Sequence, residues 1–160
     1  LEITMEVYIE ADIEDVFPYV NNDEKIKLWN TLMIENIYHS DAERNCRIPG
    51  TRYTSVQQIS DKTYRAEAEI LEFNPPYLVS VGATTKEGYS TTRYILSRSG
   101  SGTLVQLHSS TLPSNLFYKI LIKLLGGWST RLVWKGQFDN LKKVAEQTQY
   151  PLMKPDRSNS

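Results

Sequence analysis

The stretch from Ser114 to Gln147 constrains the fold more than any other part of the chain. Pro113-Ser114-Asn115 is a helix-start signal, and residues 116–147 read as one long helix interrupted by Gly126-Gly127. In its second half Trp134, Phe138, Leu141 and Ala145 are spaced by four, three and four residues, which aligns them along one face. Lys135, Asp139, Asn140, Lys142 and Lys143 fall on the flanks and back. Such a helix is far longer than the average of about 11–12 residues, so its apolar stripe needs a long partner. The region before it is rich in strand signals. The chain therefore reads as a sheet built to hold one helix.

The strand signals come in order. Ile3, Met5, Val7 and Ile9 alternate with polar residues, as in a half-buried strand. Asp12, with Asp15 three residues on, predicts an acid-capped short helix that Pro18 either kinks or joins within its first turn. A second short helix starts at Asn21-Asn22-Asp23 and ends near Trp29-Asn30. Residues 32–40 read as a strand, 41–49 as a polar loop holding Cys46, and 51–59 as a strand carrying Tyr53. Tyr64, Ala66, Ala68 and Ile70 then alternate with Arg65, Glu67 and Glu69, the clearest two-residue period in the chain. Two alanines on a core-facing strand leave room for something bulky opposite, a helix or a ligand. Asn74-Pro75-Pro76 stops this strand. Further strands are expected over 77–83, 89–98 and 103–111, divided by the turns Lys86-Glu87-Gly88 and Ser99-Gly100-Ser101-Gly102.

Short turns between successive strands predict an antiparallel meander. The expected fold is α+β: a curved antiparallel sheet of about seven strands wrapped around a long C-terminal helix, with two short helices after the first strand. One domain covers residues 1–150, and 151–160, polar with two prolines, forms a flexible tail.

Charge narrows the partners. With 18 Lys and Arg against 19 Asp and Glu, the net charge of −1 argues against nucleic acid. A single cysteine makes no internal disulfide, which suits a cytoplasmic protein. No apolar run reaches the length of a spanning helix, so stable membrane insertion is not expected. No basic-then-apolar leader is seen, and the start at Leu1 rather than Met leaves an earlier leader open. His39, His108 and Cys46 lack metal-ligand spacing, and Gly126-Gly127 lacks the Lys and Ser/Thr of a phosphate loop, so neither metal nor cofactor is expected.

Seven short pieces then resemble one superfamily in their order and spacing: Ile9-Glu10-Ala11 leading to Glu14-Asp15-Val16-Phe17; Trp29-Asn30; Gly50-Thr51-Arg52-Tyr53; Ile70-Leu71-Glu72-Phe73-Asn74-Pro75-Pro76; Thr92-Arg93-Tyr94-Ile95-Leu96; Gly102-Thr103-Leu104-Val105; and Leu141-Lys142-Lys143-Val144-Ala145-Glu146. Together they are similar to the START-like, or SRPBCC, superfamily of polyketide cyclase/dehydrase and lipid-transport proteins. The resemblance implies a helix-grip fold with a cavity between sheet and last helix. It also implies a hydrophobic small-molecule ligand, lipid- or polyketide-like, within that cavity.

The expected ligand-binding residues are Trp29, Tyr53, Ala66, Ala68, Tyr94, Leu107, Ser109, Arg131, Trp134 and Phe138. Trp134 and Phe138 would form the floor, Tyr53 and Tyr94 would face them, and Arg131, one turn before Trp134, would offer an anion contact. If Val105, Leu107 and Ser109 face inward, His108 points to solvent. No inward histidine or acid stands at the centre, so no catalytic residue is assigned, and a cyclase/dehydratase ranks behind a carrier. A third reading is a protein-interaction module with a filled core, which a cavity below a few hundred Å³ would favour. Leu116 to Trp128, apolar with Lys119 and Lys123, is a candidate for transient membrane contact, although a lid-like half-helix hinged at the glycines explains it more simply.

Overall fold

The computed structural model describes residues 1–147, apart from the side chains of residues 125–128. The expected tail at 151–160 lies outside the described residues. Seven strands form one antiparallel sheet in the order β1-β7-β6-β5-β4-β3-β2. They are β1 (Glu2–Ile9), β2 (Met33–Tyr38), β3 (Arg52–Ile59), β4 (Lys62–Asn74), β5 (Leu78–Thr85), β6 (Gly88–Ser99) and β7 (Gly102–Pro113). From β2 onward each strand pairs with the next, and β1 closes the far edge against β7. The two-residue period places Val105 and Leu107 inward with no exposure, while His108 beside Leu107 faces out.

The helices differ from expectation in several places. The first short helix is split at Pro18, which starts a new helix because it has no N–H to give the preceding turn. The chain thus has α1 (Ile13–Val16), α2 (Pro18–Asn21) and α3 (Asp23–Ile26). Asp12 occupies the cap position of α1 but its side chain makes no capping bond, whereas Asn22 caps α3 by accepting from the Lys25 N–H at 3.2 Å. The third difference is at residues 41–46, expected as loop, where the chain forms α4 (Asp41–Cys46). Ser40 Oγ accepts the Glu43 N–H at 3.2 Å, a serine-to-glutamate capping spacing. None of α4 is buried, so no apolar stripe advertised it.

The long helix α5 (Leu116–Gln147) has 32 residues and continues through Gly126 and Gly127. At 1.5 Å per residue it is about 48 Å long. The sheet grips only its second half. Phe138, Leu141 and Ala145 are buried beside Ile9, Val105 and Leu107, and Trp134 packs on this cluster. Polar ties hold the same half. Lys142 Nζ donates to the Tyr8 carbonyl at 2.7 Å and to Glu146 Oε1 at 2.6 Å, and that oxygen also accepts the Glu10 N–H at 3.0 Å. Gln137 exchanges two bonds of 2.9 Å with Thr31, and Asn140 reaches the Trp29 carbonyl. In the first half Leu116, Phe117, Ile120 and Leu124 are all more than half exposed.

Candidate binding chamber and its vestibule

Over the β3–β6 part of the sheet, beside the α5 residue Trp134, the helical side and the sheet do not fill the space between them. An inner chamber of about 190 Å³ remains. Its wall follows the register: Tyr94 opposite Val79, Thr92 opposite Val81, and Ser90 opposite Ala83, all on one face. Ala68 and Ile70 of β4 and Tyr53, Ser55 and Gln57 of β3 continue the wall. Val20, Ile26, Asn30 and Trp134 close it from the helical side. Ala68 acts as the sequence suggests: a methyl group on the core face leaves volume that a larger side chain would occupy.

A second hollow of about 360 Å³, between α5 and the β3 edge, is lined by Leu32, Ile59, Ser129, Thr130 and Val133. Asn30, Gln57 and Trp134 border both spaces and make up their shared rim, the neck, between an inner chamber and an outer vestibule. The inner volume alone is below the few hundred Å³ of an ordinary small-molecule site, the condition that favours a protein-interaction module, whereas the volumes of chamber and vestibule taken together fall within the range of such a site. The Trp134 ring is held edge-to-face on Phe138, with centroids 6.3 Å apart.

Of the ten residues named from sequence, Tyr53, Ala68, Tyr94 and Trp134 line the chamber. The other six do not. Trp29 is core: it is 1% exposed and its indole N–H donates to the Tyr19 carbonyl at 2.7 Å. Phe138 and Leu107 are buried beneath the neck in the packed cluster, and Ala66 and Ser109 are half-buried outside the chamber wall. Arg131 is exposed and stands over a separate groove beside Thr4, Met5 and Glu6 of β1, so it offers the chamber no anion contact.

A different arginine takes that place. Arg47 follows α4 in a left-handed conformation (φ 38°, ψ 47°) that costs a residue with a Cβ roughly 1–2 kcal/mol. Arg47 lines the chamber, and its Nη2 donates to Asp23 Oδ1 at 2.7 Å. Asn36 Nδ2 donates to the same oxygen at 3.0 Å. Asp23 is 7% exposed, and its other oxygen, Oδ2, is buried without a hydrogen bond. Behind this pair the Tyr38 and Tyr53 rings stack, with centroids 4.9 Å apart. Burial pushes the Tyr38 phenol up to about 12; the positive charge of Arg47 opposes that shift and the negative charge of Asp23 adds to it. Burial likewise raises Tyr53 and Tyr94 well above the ordinary phenol value. All three phenols are therefore protonated donors at neutral pH.

No cluster of three His, Cys, Asp or Glu able to hold a metal occurs among the described residues. No helix among them is long and apolar enough to cross a membrane.

An open seven-stranded antiparallel sheet gripping a C-terminal helix, with short helices after the first strand, is the helix-grip fold of the START-like, or SRPBCC, superfamily. Within it the chain belongs to the Activator of Hsp90 ATPase homolog 1-like family, whose profile matches residues 10–146. Solved structures agree at the level of fold. A Thermus thermophilus protein, TTHA0849, superposes with a TM-score of 0.71 at 16% identity, over 91% of this chain and 97% of that one. An AHSA1-like protein from Aeromonas hydrophila gives 0.64 at 19% identity, over 93% and 94%. A protein of unknown function from Staphylococcus aureus, SA2116, gives 0.68 at 16%, over 93% and 95%. No match is found among curated protein sequences.

Proposed function

We propose that this protein binds an amphipathic small molecule, with the inner part of the ligand in the chamber and the remainder in the vestibule against Trp134. The observation that carries this reading is the neck. Asn30, Gln57 and Trp134 border both hollows, which places the two side by side under the second half of α5. Apolar burial against Ile70, Val79, Val81 and Trp134 would supply most of the affinity, at roughly 25 cal/mol per Å² before ordering costs. The hydroxyls of Ser55, Ser90, Thr92 and Tyr53 make the wall too polar for a purely hydrocarbon ligand. Lipid- and polyketide-like molecules are the ligand classes of this reading, and carriage or sensing rather than turnover its activity. The test is a titration with a fluorescent fatty acid. Trp134→Ala should weaken binding at least several-fold, and an unchanged affinity would remove that ring from the site.

A second reading has its own observation. Leu116, Phe117, Ile120 and Leu124 form an exposed apolar row, beside Lys119 and Lys123, in a family described by ATPase activation. That row could serve a protein partner or a transient membrane contact. Pull-down and vesicle-binding assays with Phe117→Ser and Leu124→Ser would detect either, and unaltered binding in both would exclude the row.

A further inference from the structure

The end of the chamber nearest α4 gathers more hydrogen-bond donors than the protein itself uses. A guanidinium carries five N–H bonds. Arg47 gives one from Nη2 to Asp23 and one from Nε to the Arg44 carbonyl at 3.3 Å. The Tyr53 hydroxyl has no hydrogen-bond partner among the described residues. Asn36 commits one amide N–H to Asp23. Against these stands one charged acceptor, Asp23, whose Oδ1 already receives two bonds and whose Oδ2 is buried without one. Both charged side chains are withdrawn from water, at 14% exposure for Arg47 and 9% for Asp23. Unmet donors in such surroundings interact strongly with an incoming acceptor.

The backbone points the same way. Left-handed geometry at a non-glycine residue persists where its surroundings over-determine it, and such positions cluster at binding sites. α4 buries none of its own residues. Two arginines at its C-terminal end tie it to the domain. Arg44 reaches the Asn36 carbonyl at 3.4 Å, and Arg44 and Arg47 lie over the Tyr38 ring at 5.6 and 5.7 Å. Arg47, which caps this short helix, thereby comes to line the chamber.

We propose that this end of the chamber is a subsite for a hydrogen-bond-accepting oxygen, a carboxylate or a ketone, on a mainly apolar ring-sized molecule, held by the Arg47 guanidinium and the Tyr53 hydroxyl. Asp23 is a positioning residue: it aims the guanidinium and offsets part of its charge, so a neutral carbonyl is accepted as well as an anion. A phenol is protonated at neutral pH, so the Tyr53 hydroxyl can donate. The proposal rests on the ligand-binding reading above and specifies its polar end.

The test compares three probes of one shape: naphthoic acid, acetonaphthone and methylnaphthalene, titrated calorimetrically. The acid and the ketone should bind at least tenfold more tightly than the hydrocarbon. Tyr53→Phe keeps the ring stack and removes only an unpartnered hydroxyl, so it should fold normally. It should cost the two oxygenated probes severalfold in affinity and leave methylnaphthalene unchanged. The paired change Asp23→Asn with Arg47→Gln avoids stranding a buried charge and should cost them about tenfold. A preference for the acid over the ketone supports Arg47's charge as the main attraction, and equal binding supports donor geometry. If all three probes bind alike, or the variants weaken methylnaphthalene equally, the subsite is wrong and the chamber reading stands. If none binds, both fall.

Discussion

Leu141→Ala and Leu124→Ala remove the same atoms from the same helix, yet the structure assigns them very different costs. Leu141 has no exposure and lies between Phe138 and Ala145 in the packed cluster. Three buried carbons at about 0.8 kcal/mol each give about 2.4 kcal/mol. The cavity left in a close-packed site adds to that, so about 3 kcal/mol is expected, within the usual 2–5 for this exchange. Leu124 is 74% exposed, and its truncation should change stability by less than about 0.5 kcal/mol. For a chain of this size 3 kcal/mol corresponds to roughly 6–12 °C in Tm. Urea unfolding, followed by circular dichroism with the slope checked for constancy, measures both variants. A cost above about 1.5 kcal/mol for Leu124→Ala, or below about 1 for Leu141→Ala, would refute a grip confined to the second half of α5.

Arg47→Gln alone leaves the buried Asp23 carboxylate with only Asn36. It should destabilise by about 3 kcal/mol in urea unfolding, while adding Asp23→Asn restores most of the loss. Equal destabilisation by the single and paired changes would show that the ion pair is not what matters there. Tyr38, raised to about 12, contributes stability that is complete below the ordinary phenol value of 10.0 and is lost as pH rises from there towards 12, because only the unfolded chain releases the proton in that window. Tyr38→Phe should therefore flatten the alkaline decline in the urea midpoint, and an unchanged slope would count against burial as the cause. At neutral pH the same change should be neutral or slightly stabilising, since the hydroxyl it removes is buried without a partner.

The sheet was legible because its faces are simple. Ala68 and Ile70 alternate with charged residues along β4, Ile3 and Ile9 do so along β1, and both pairs are buried. The helix stripe was legible for the same reason: Phe138, Leu141 and Ala145 keep the helical period and all three are buried. Periodicity names a face, however, and does not say whether that face meets packed atoms or open space. Trp29 and Trp134 have the same chemistry in the sequence, yet one is sealed by a bond to a carbonyl and the other stands at the neck. Arg131 shows a second limit. Three residues turn a helix by about 300°, so Arg131 lies about 60° around from Trp134. That offset puts Arg131 over β1 and Trp134 over the β3 edge. The Asp23–Arg47 pair was hidden for a third reason. Its members are 24 residues apart, and only the return of the chain from β2 through α4 brings them together. The Ser40-to-Glu43 spacing was the one local signal for α4, and it was masked by a wholly polar segment.

Native mass spectrometry of the full chain, purified from cells without detergent, tests the central claim most directly. A fraction of the protein should carry an added small-molecule mass that is released on unfolding and reduced in Trp134→Ala. A uniformly bare chain that also fails to take up fluorescent fatty acid or naphthoic acid would contradict the claim, leaving a helix-grip domain with a chamber and no ligand for it.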